Sequence, residues 1–120
     1  MYKKQKGLIN RKWELVEING QKVILEENIS QPYLDLSNLN EFTGNGGCNS
    51  MFGSYKISSK NFIEFSGIGM TERACAGKHY DFELTNALES KQQFMLVGED
   101  EMRLHVGKRM HHAVFKAIKQ

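Results

Sequence analysis

Two cysteines, four histidines and a scatter of carboxylates are the residues of this 120-residue chain that could do chemistry. Cys75 is followed by His79 and Asp81, an order that could serve as thiolate, base and orienter. Catalytic Cys–His pairs are assembled in space, and local spacing is poor evidence for them, so Cys75 reads as a structural thiol or half-cystine. His105, His111 and His112 follow the acidic run Glu99-Asp100-Glu101 and could suggest metal ligation. Zinc needs three or four converging ligands, and the adjacent pair His111-His112 would point to opposite faces if extended. Neither H-E-x-x-H nor C-x-x-C occurs. The acidic run reads as a solvated hairpin tip, and Glu64 as an outward strand residue. A general acid would need an apolar pocket that the sequence does not display. No catalytic, cofactor-binding or metal-binding residue is assigned, and no enzyme is expected.

Composition bounds the rest. Lys3, Lys4, Lys6, Arg11 and Lys12 form a basic arm, to which Lys108-Arg109 adds two charges. The aromatics alternate into the expected core and leave no stacking platform, and a net charge of +2 is too small to argue for nucleic acid. Met70, Met95, Met102 and Met110 read as core fillers rather than as an adaptable binding surface. The length suits one domain that can bury a core without a metal. No run of eighteen apolar residues could cross a bilayer as a helix. The basic start lacks an apolar segment behind it, so residues 1–10 are expected to be a mobile polar arm before a domain at 11–120. Cys48 and Cys75 fit one disulfide or two buried thiols. A bridge would close a loop of about 28 residues and stabilise by roughly 3.5 kcal/mol, given an oxidising compartment.

The elements that must position these residues are organised around Gly44-Asn45-Gly46-Gly47-Cys48-Asn49-Ser50-Met51-Phe52-Gly53. Four glycines in ten residues mark sharp corners or close backbone approach, and the companions of a phosphate loop are missing. Before this stretch, Trp13–Ile18 alternates as a strand, Asn19-Gly20 signals a hairpin, and Gln21–Leu25 returns. Tyr33–Leu36 and Glu41–Gly44 are short strands. After it, Ser54–Ser58, Phe62–Phe65 and Ile68–Thr71 are read as three more, with Ser66-Gly67 between the last two. Tyr80, Leu84, Ala87 and Leu88 share one helical stripe, so a helix is expected at about residues 79–90, with Asp81 and Glu83 favourable to its dipole. Gln93–Val97 and Met102–Val106 should pair as a hairpin, and Ala113–Ile118 makes a last strand. Short strands at regular intervals argue for an antiparallel meander.

Three blocks resemble the META domain family, also called HslJ-like or DUF306. Trp13-Glu14-Leu15 with Ile18-Asn19-Gly20 is similar to its W-x-L-x-x-I-N-G opening. Gly47-Cys48-Asn49 with Gly53 and Tyr55 is similar to G-C-N-x-x-x-G-x-Y. Thr71 with Ala74-Cys75 is similar to T-x-M-A-C, with Arg73 where the family usually carries Met. The resemblance implies a small α+β domain, a curved antiparallel sheet with one helix packed on it. It also implies that Cys48 and Cys75 are neighbours, either bridged or packed as buried thiols. Asn49 can bond local backbone in the turn, while Phe52 and Tyr55 can fill the core beside Trp13. It further implies a bacterial periplasmic or cell-envelope setting, often as a lipoprotein whose leader has been removed, in preference to the cytoplasm. Members are linked to stress such as heat shock, and no reaction comes with the fold. The expectation is a monomeric, non-enzymatic module that contacts a protein or envelope component, without a cofactor. The alternatives are a small-ligand cleft near the Gly44–Tyr55 corner and, behind it, an enzyme using Cys75 and His79.

Overall fold

The computed structural model describes residues 7–58, 61–89, 91–106 and 112–118. Its strands are β1 (Lys12–Ile18), β2 (Gln21–Lys22), β3 (Tyr33–Asn38), β4 (Glu41–Asn45), β5 (Ser50–Ser58), β6 (Phe62–Met70), β7 (Gln92–Val97), β8 (Glu101–His105) and β9 (Ala113–Ala117); one helix, α1 (Asp81–Leu88), interrupts them. All ladders are antiparallel, and β1 pairs with both β3 and β9. That last pairing closes eight strands into a barrel, with two-residue β2 as an appendage on β1.

Closure corrects the expected α+β architecture of a curved antiparallel sheet with a helix packed on it. The local reading could not see it, because alternation along a strand is the same in an open and a closed antiparallel sheet. The closing register, Trp13↔Ala117 through Ile18↔Ala113, joins the two ends of the chain's strand series. Closure removes the two outer edges an open sheet would have, leaving the short β6–β7 ladder as the thinly paired seam.

The interior is filled by side chains. Trp13, Leu15, Leu34, Leu36, Phe42, Met51, Tyr55, Ile63, Phe65, Phe94, Met102, Leu104 and Phe115 are all buried. Phe42 and Phe65 meet edge to face, 5.2 Å between centroids, a geometry that favours aromatic pairs. Helix α1 covers the end where β4 passes to β5, burying Leu84 and Leu88. The other end is covered by the chain ahead of β1. Leu8 and Ile9 are buried in the core, Trp13 Nε1 donates to Leu8 O at 3.0 Å, and Asn10 N donates to Leu36 O at 2.9 Å. Of the arm expected at residues 1–10, the described part from Gly7 is therefore part of the packed body.

Three further local expectations change. Phe52 lies half-exposed on the outer face, against Gly69, and Met51 takes the inward place. The strand's period of two sets this: Met51, Gly53 and Tyr55 share the inner face, so Phe52 must point out. The two strands expected at Phe62–Phe65 and Ile68–Thr71 are one, β6, carrying a bulge. Gly53 sits opposite two residues, the register slipping between Phe52↔Gly69 and Ser54↔Ser66, and Gly67 has φ +61°. A bulge therefore uses the Ser66-Gly67 signal that reads as a break in sequence. The return strand after Asn19-Gly20 stops at Lys22, leaving Ile24 and Leu25 exposed.

The β6–β7 ladder has only two residue pairs, Phe62↔Gln93 and Ile63↔Gln92. Buried Gln92 stitches this part of the barrel to the helix: its Nε2 donates to Ala87 O at 2.8 Å, and its Oε1 lies 2.7 Å from His112 Nε2.

Candidate functional site

The glycine corner, the connection after β6 and the start of α1 converge on one buried polar knot. Cys48 and Cys75 are joined by a disulfide, with 6.0 Å between their Cα atoms. Next to it, buried Asn49 uses both faces of its amide. Its Oδ1 accepts from Thr71 Oγ1 at 2.8 Å and from Arg73 N at 2.7 Å. Its Nδ2 donates to Arg73 O and to Asp81 Oδ2, each at 3.0 Å. Asp81, only 4% exposed, accepts further bonds from the backbone of Asn49 (3.0 Å, at Oδ2) and of Cys48 (3.3 Å, at Oδ1). A buried carboxylate needs such donors to offset lost hydration.

The corner's shape makes these contacts possible. Gly46 presses against Asp81, whose backbone nitrogen would lie 2.5 Å from any added Cβ, and Tyr80 N donates to Gly46 O at 2.6 Å. Gly47 has φ +114°, a conformation open to glycine at little cost. Asn45 Oδ1 accepts from Gly47 N at 2.7 Å and closes the turn. Thr71 Oγ1 accepts from Ser50 N at 3.1 Å, and Thr71 N donates to Ser50 O at 2.9 Å.

The residues singled out in sequence fall into two groups. Gly47, Cys48, Asn49, Thr71 and Cys75 meet at the knot. Trp13, Gly53 and Tyr55 belong to the barrel interior: Gly53 lies against the Phe42 ring, and Tyr55 Oη donates to Asn38 O at 3.0 Å. Ala74 is exposed between knot residues. Arg73 departs from the family's Met without disturbing the knot, because its backbone N and O make the contacts and its side chain is exposed.

Sequence reasoning missed the structural role of Asp81. In sequence it reads as an acid favourable to the helix dipole or as the orienter behind Cys75 and His79, yet it makes no side-chain cap on its own helix and reaches across to Cys48 and Asn49. The available signal was an acid directly after the connection that carries Cys75. His79 stands beside it, Nδ1 at 3.5 Å from Asp81 Oδ2 and accepting from Asp81 N at 3.4 Å. Cys48 Sγ, His79 and Asp81 therefore offer ligand atoms all within 4.8 Å of one another. Both sulfurs are bonded to each other, so neither is a thiolate nucleophile in this state.

The other histidine and carboxylate candidates are separate. His111 lies outside the described residues. His112 Nε2 meets Gln92 Oε1 and Ala87 O (3.2 Å). Asp100 pairs with Arg11 at 3.1 Å and Glu101 with Arg103 at 2.7 Å. An open groove of about 250 Å³ runs along α1, lined by Asn19, Phe82, Glu83, Asn86, Val106 and His112 among others. It lies on the flank of the helix away from the glycine corner, where Gly46 and Gly47 are packed against Asp81, Ile29 and His79. Among the described residues, no helix is long and apolar enough to cross a membrane.

These features define a class: a small closed antiparallel barrel, stoppered by one helix whose start is fastened to a glycine corner by a disulfide and a buried Asn–Asp pair. The pattern of the META domain matches residues 6–118, and the chain belongs to that family. Two structures solved by NMR share the fold, each with a TM-score of 0.73. One is 21% identical, covering 97% of this chain and 95% of its own. The other, from Burkholderia xenovorans, is 19% identical, covering 96% and 86% respectively. No curated protein matches the chain.

Proposed function

We propose that this META domain is a non-enzymatic binding module of the bacterial cell envelope, of the HslJ-like, stress-related kind, acting as a monomer on a protein or envelope component. The observation that carries the reading is the Cys48–Cys75 disulfide. It fastens the helix-bearing connection to the barrel, and such bonds persist in oxidising compartments. The filled interior supports binding from outside. With closure pairing the strands everywhere but along the short β6–β7 seam, contact by the outer face or loops is favoured over contact by an added strand. Phe82, 72% exposed on the helix beside the groove, is the natural apolar anchor.

The test is made in the native cells. Thiols are blocked before lysis, the envelope and cytosol are separated, and the protein's cysteine state is read by a mass-shift label. A photo-reactive phenylalanine analogue at position 82 reports contacts in the same cells. The expected outcome is oxidised protein in the envelope fraction, with a light-dependent adduct from position 82. Reduced protein in the cytosol would overturn the envelope assignment, and the absence of any adduct would overturn the helix face as the contact. The groove along α1 favours a second reading, a small ligand held between helix and barrel. In that case an Asn86→Trp substitution, which fills the groove, abolishes function while leaving a position-82 adduct in place.

A further inference from the structure

The cluster around the disulfide holds more ligand chemistry than a fastener needs. Asp81 Oδ1 carries one long hydrogen bond among the described residues, 3.3 Å from Cys48 N. His79 Nδ1 accepts a long bond from Asp81 N at 3.4 Å, one that a metal could displace, and lies 3.5 Å from Asp81 Oδ2. Cys48 Sγ, a ring nitrogen of His79 and an Asp81 oxygen lie within 4.8 Å of one another, and Cys75 Sγ is bonded to the first of these. Two sulfurs, one imidazole nitrogen and one carboxylate oxygen are a four-ligand set of the kind zinc takes.

We propose that reduction of Cys48–Cys75 converts this cluster into a binding site for a divalent, thiolate-preferring cation, zinc being the ion of that chemistry, held by Cys48, Cys75, His79 and Asp81. The chemistry balances in two steps. A dithiol attacks the disulfide, forms a mixed disulfide and closes on itself; it is oxidised by two electrons and the protein gains two thiols. The cation then displaces the two thiol protons, so binding releases protons and strengthens as pH rises. The 6.0 Å between the two Cα atoms spans a disulfide and leaves both sulfurs able to turn toward one ion once the bond is broken. Asn49 Nδ2, 3.5 Å from Cys48 Sγ, provides an N–H beside a metal-bound sulfur. His79 and Cys75 are partly exposed, which gives the ion a path in. The oxidised form, by contrast, offers only His79 and Asp81, too few for a tight site. The same residues thus fasten the domain by a covalent bond in one redox state and by a metal in the other.

The experiment uses the full chain, reduced by a phosphine (which becomes the phosphine oxide, with oxygen from water), desalted without oxygen and titrated with Co²⁺ as a spectroscopic substitute for zinc. The expected result is one equivalent bound, with an ultraviolet sulfur-to-cobalt band and visible bands of tetrahedral coordination, displaced by Zn²⁺. His79→Ala should weaken binding about tenfold or more, and the untreated oxidised chain should give no sulfur band. If the reduced chain loses its far-ultraviolet strand signal, Zn²⁺ should restore it. No sulfur-to-cobalt band, a His79→Ala variant that binds like the parent, or a reduced, unfolded chain that zinc fails to refold would each overturn the proposal.

Discussion

Asn49 has two donors and an acceptor oxygen, and the knot uses them in four hydrogen bonds to nitrogen and oxygen partners and a fifth, longer one to Cys48 Sγ, from a side chain that is almost wholly buried. Each such bond contributes about 1 kcal/mol net, and orphaned buried partners cost more. Asn49→Ala should therefore destabilise the fold by about 2–4 kcal/mol in denaturant unfolding. A loss under about 0.5 kcal/mol, typical of an open surface site, would contradict the bonding described. Tyr55 makes a second residue-scale prediction. Burial pushes its phenol above the ordinary value of 10.0, against a backbone hydrogen bond that lowers it, with Asp35 adding to the rise. Because the folded value is the higher one, its stabilisation is complete below pH 10.0 and is lost as pH climbs through the folded value. An absorbance titration should find one tyrosine ionising after the others, and Tyr55→Phe should remove that phase. At the surface, partial burial pushes Glu83 upward, but the hydrogen bond and charge of Lys78 outweigh it and hold the carboxyl below 4.5. That contribution is present above pH 4.5 and lost as pH falls through the folded value. Lys78→Ala should raise the Glu83 midpoint in an NMR titration; an unchanged midpoint would remove Lys78 as the cause. Asn49 was visible in sequence as part of the glycine stretch. The bonding of Asp81 to Cys48 and Asn49 was not, because local spacing offers only the dipole or a Cys75–His79 partner as its role.

Elements were legible where their signal is local. Asn19 and Gly20 both have positive φ, 51° and 81°, as a two-residue hairpin of that composition requires. Tyr80, at the cap of α1, and Leu84 and Leu88 within it are buried along one stripe, and β7 pairs with β8 as their alternation predicts. The misreadings arose where one residue type serves two purposes. Glycine at 67 serves a bulge as readily as a turn, and Phe52 is apolar enough for the core but stands at an outward position. The disulfide acts at this scale, tying the β4–β5 corner to the connection before α1. Breaking it in the presence of a chelator should lower unfolding free energy by about 3.5 kcal/mol, from the entropy of the released loop. The check is denaturant unfolding of oxidised and reduced protein. Equal midpoints would mean that the hydrogen bonds alone hold the corner.

At the scale of the whole molecule, what the sequence could not reveal is closure. The β1–β9 ladder depends on the accumulated twist and stagger of every strand between them, which no local pattern encodes. Once closed, the barrel has two ends to cover. Leu8 and Ile9 cover one; α1, anchored through Asp81 and Cys75, covers the other. The central claim is that the knot makes the helix-covered end as firm as the barrel itself. Native-state hydrogen exchange measures this directly. In the oxidised protein, the amides of Asn49, bonded to Asp81, and Tyr80, bonded to Gly46 O, should exchange only with global unfolding, alongside Phe115 on the closing strand. Exchange at Asn49 and Tyr80 as fast as at an exposed turn such as Gly98, with Phe115 still protected, would contradict it.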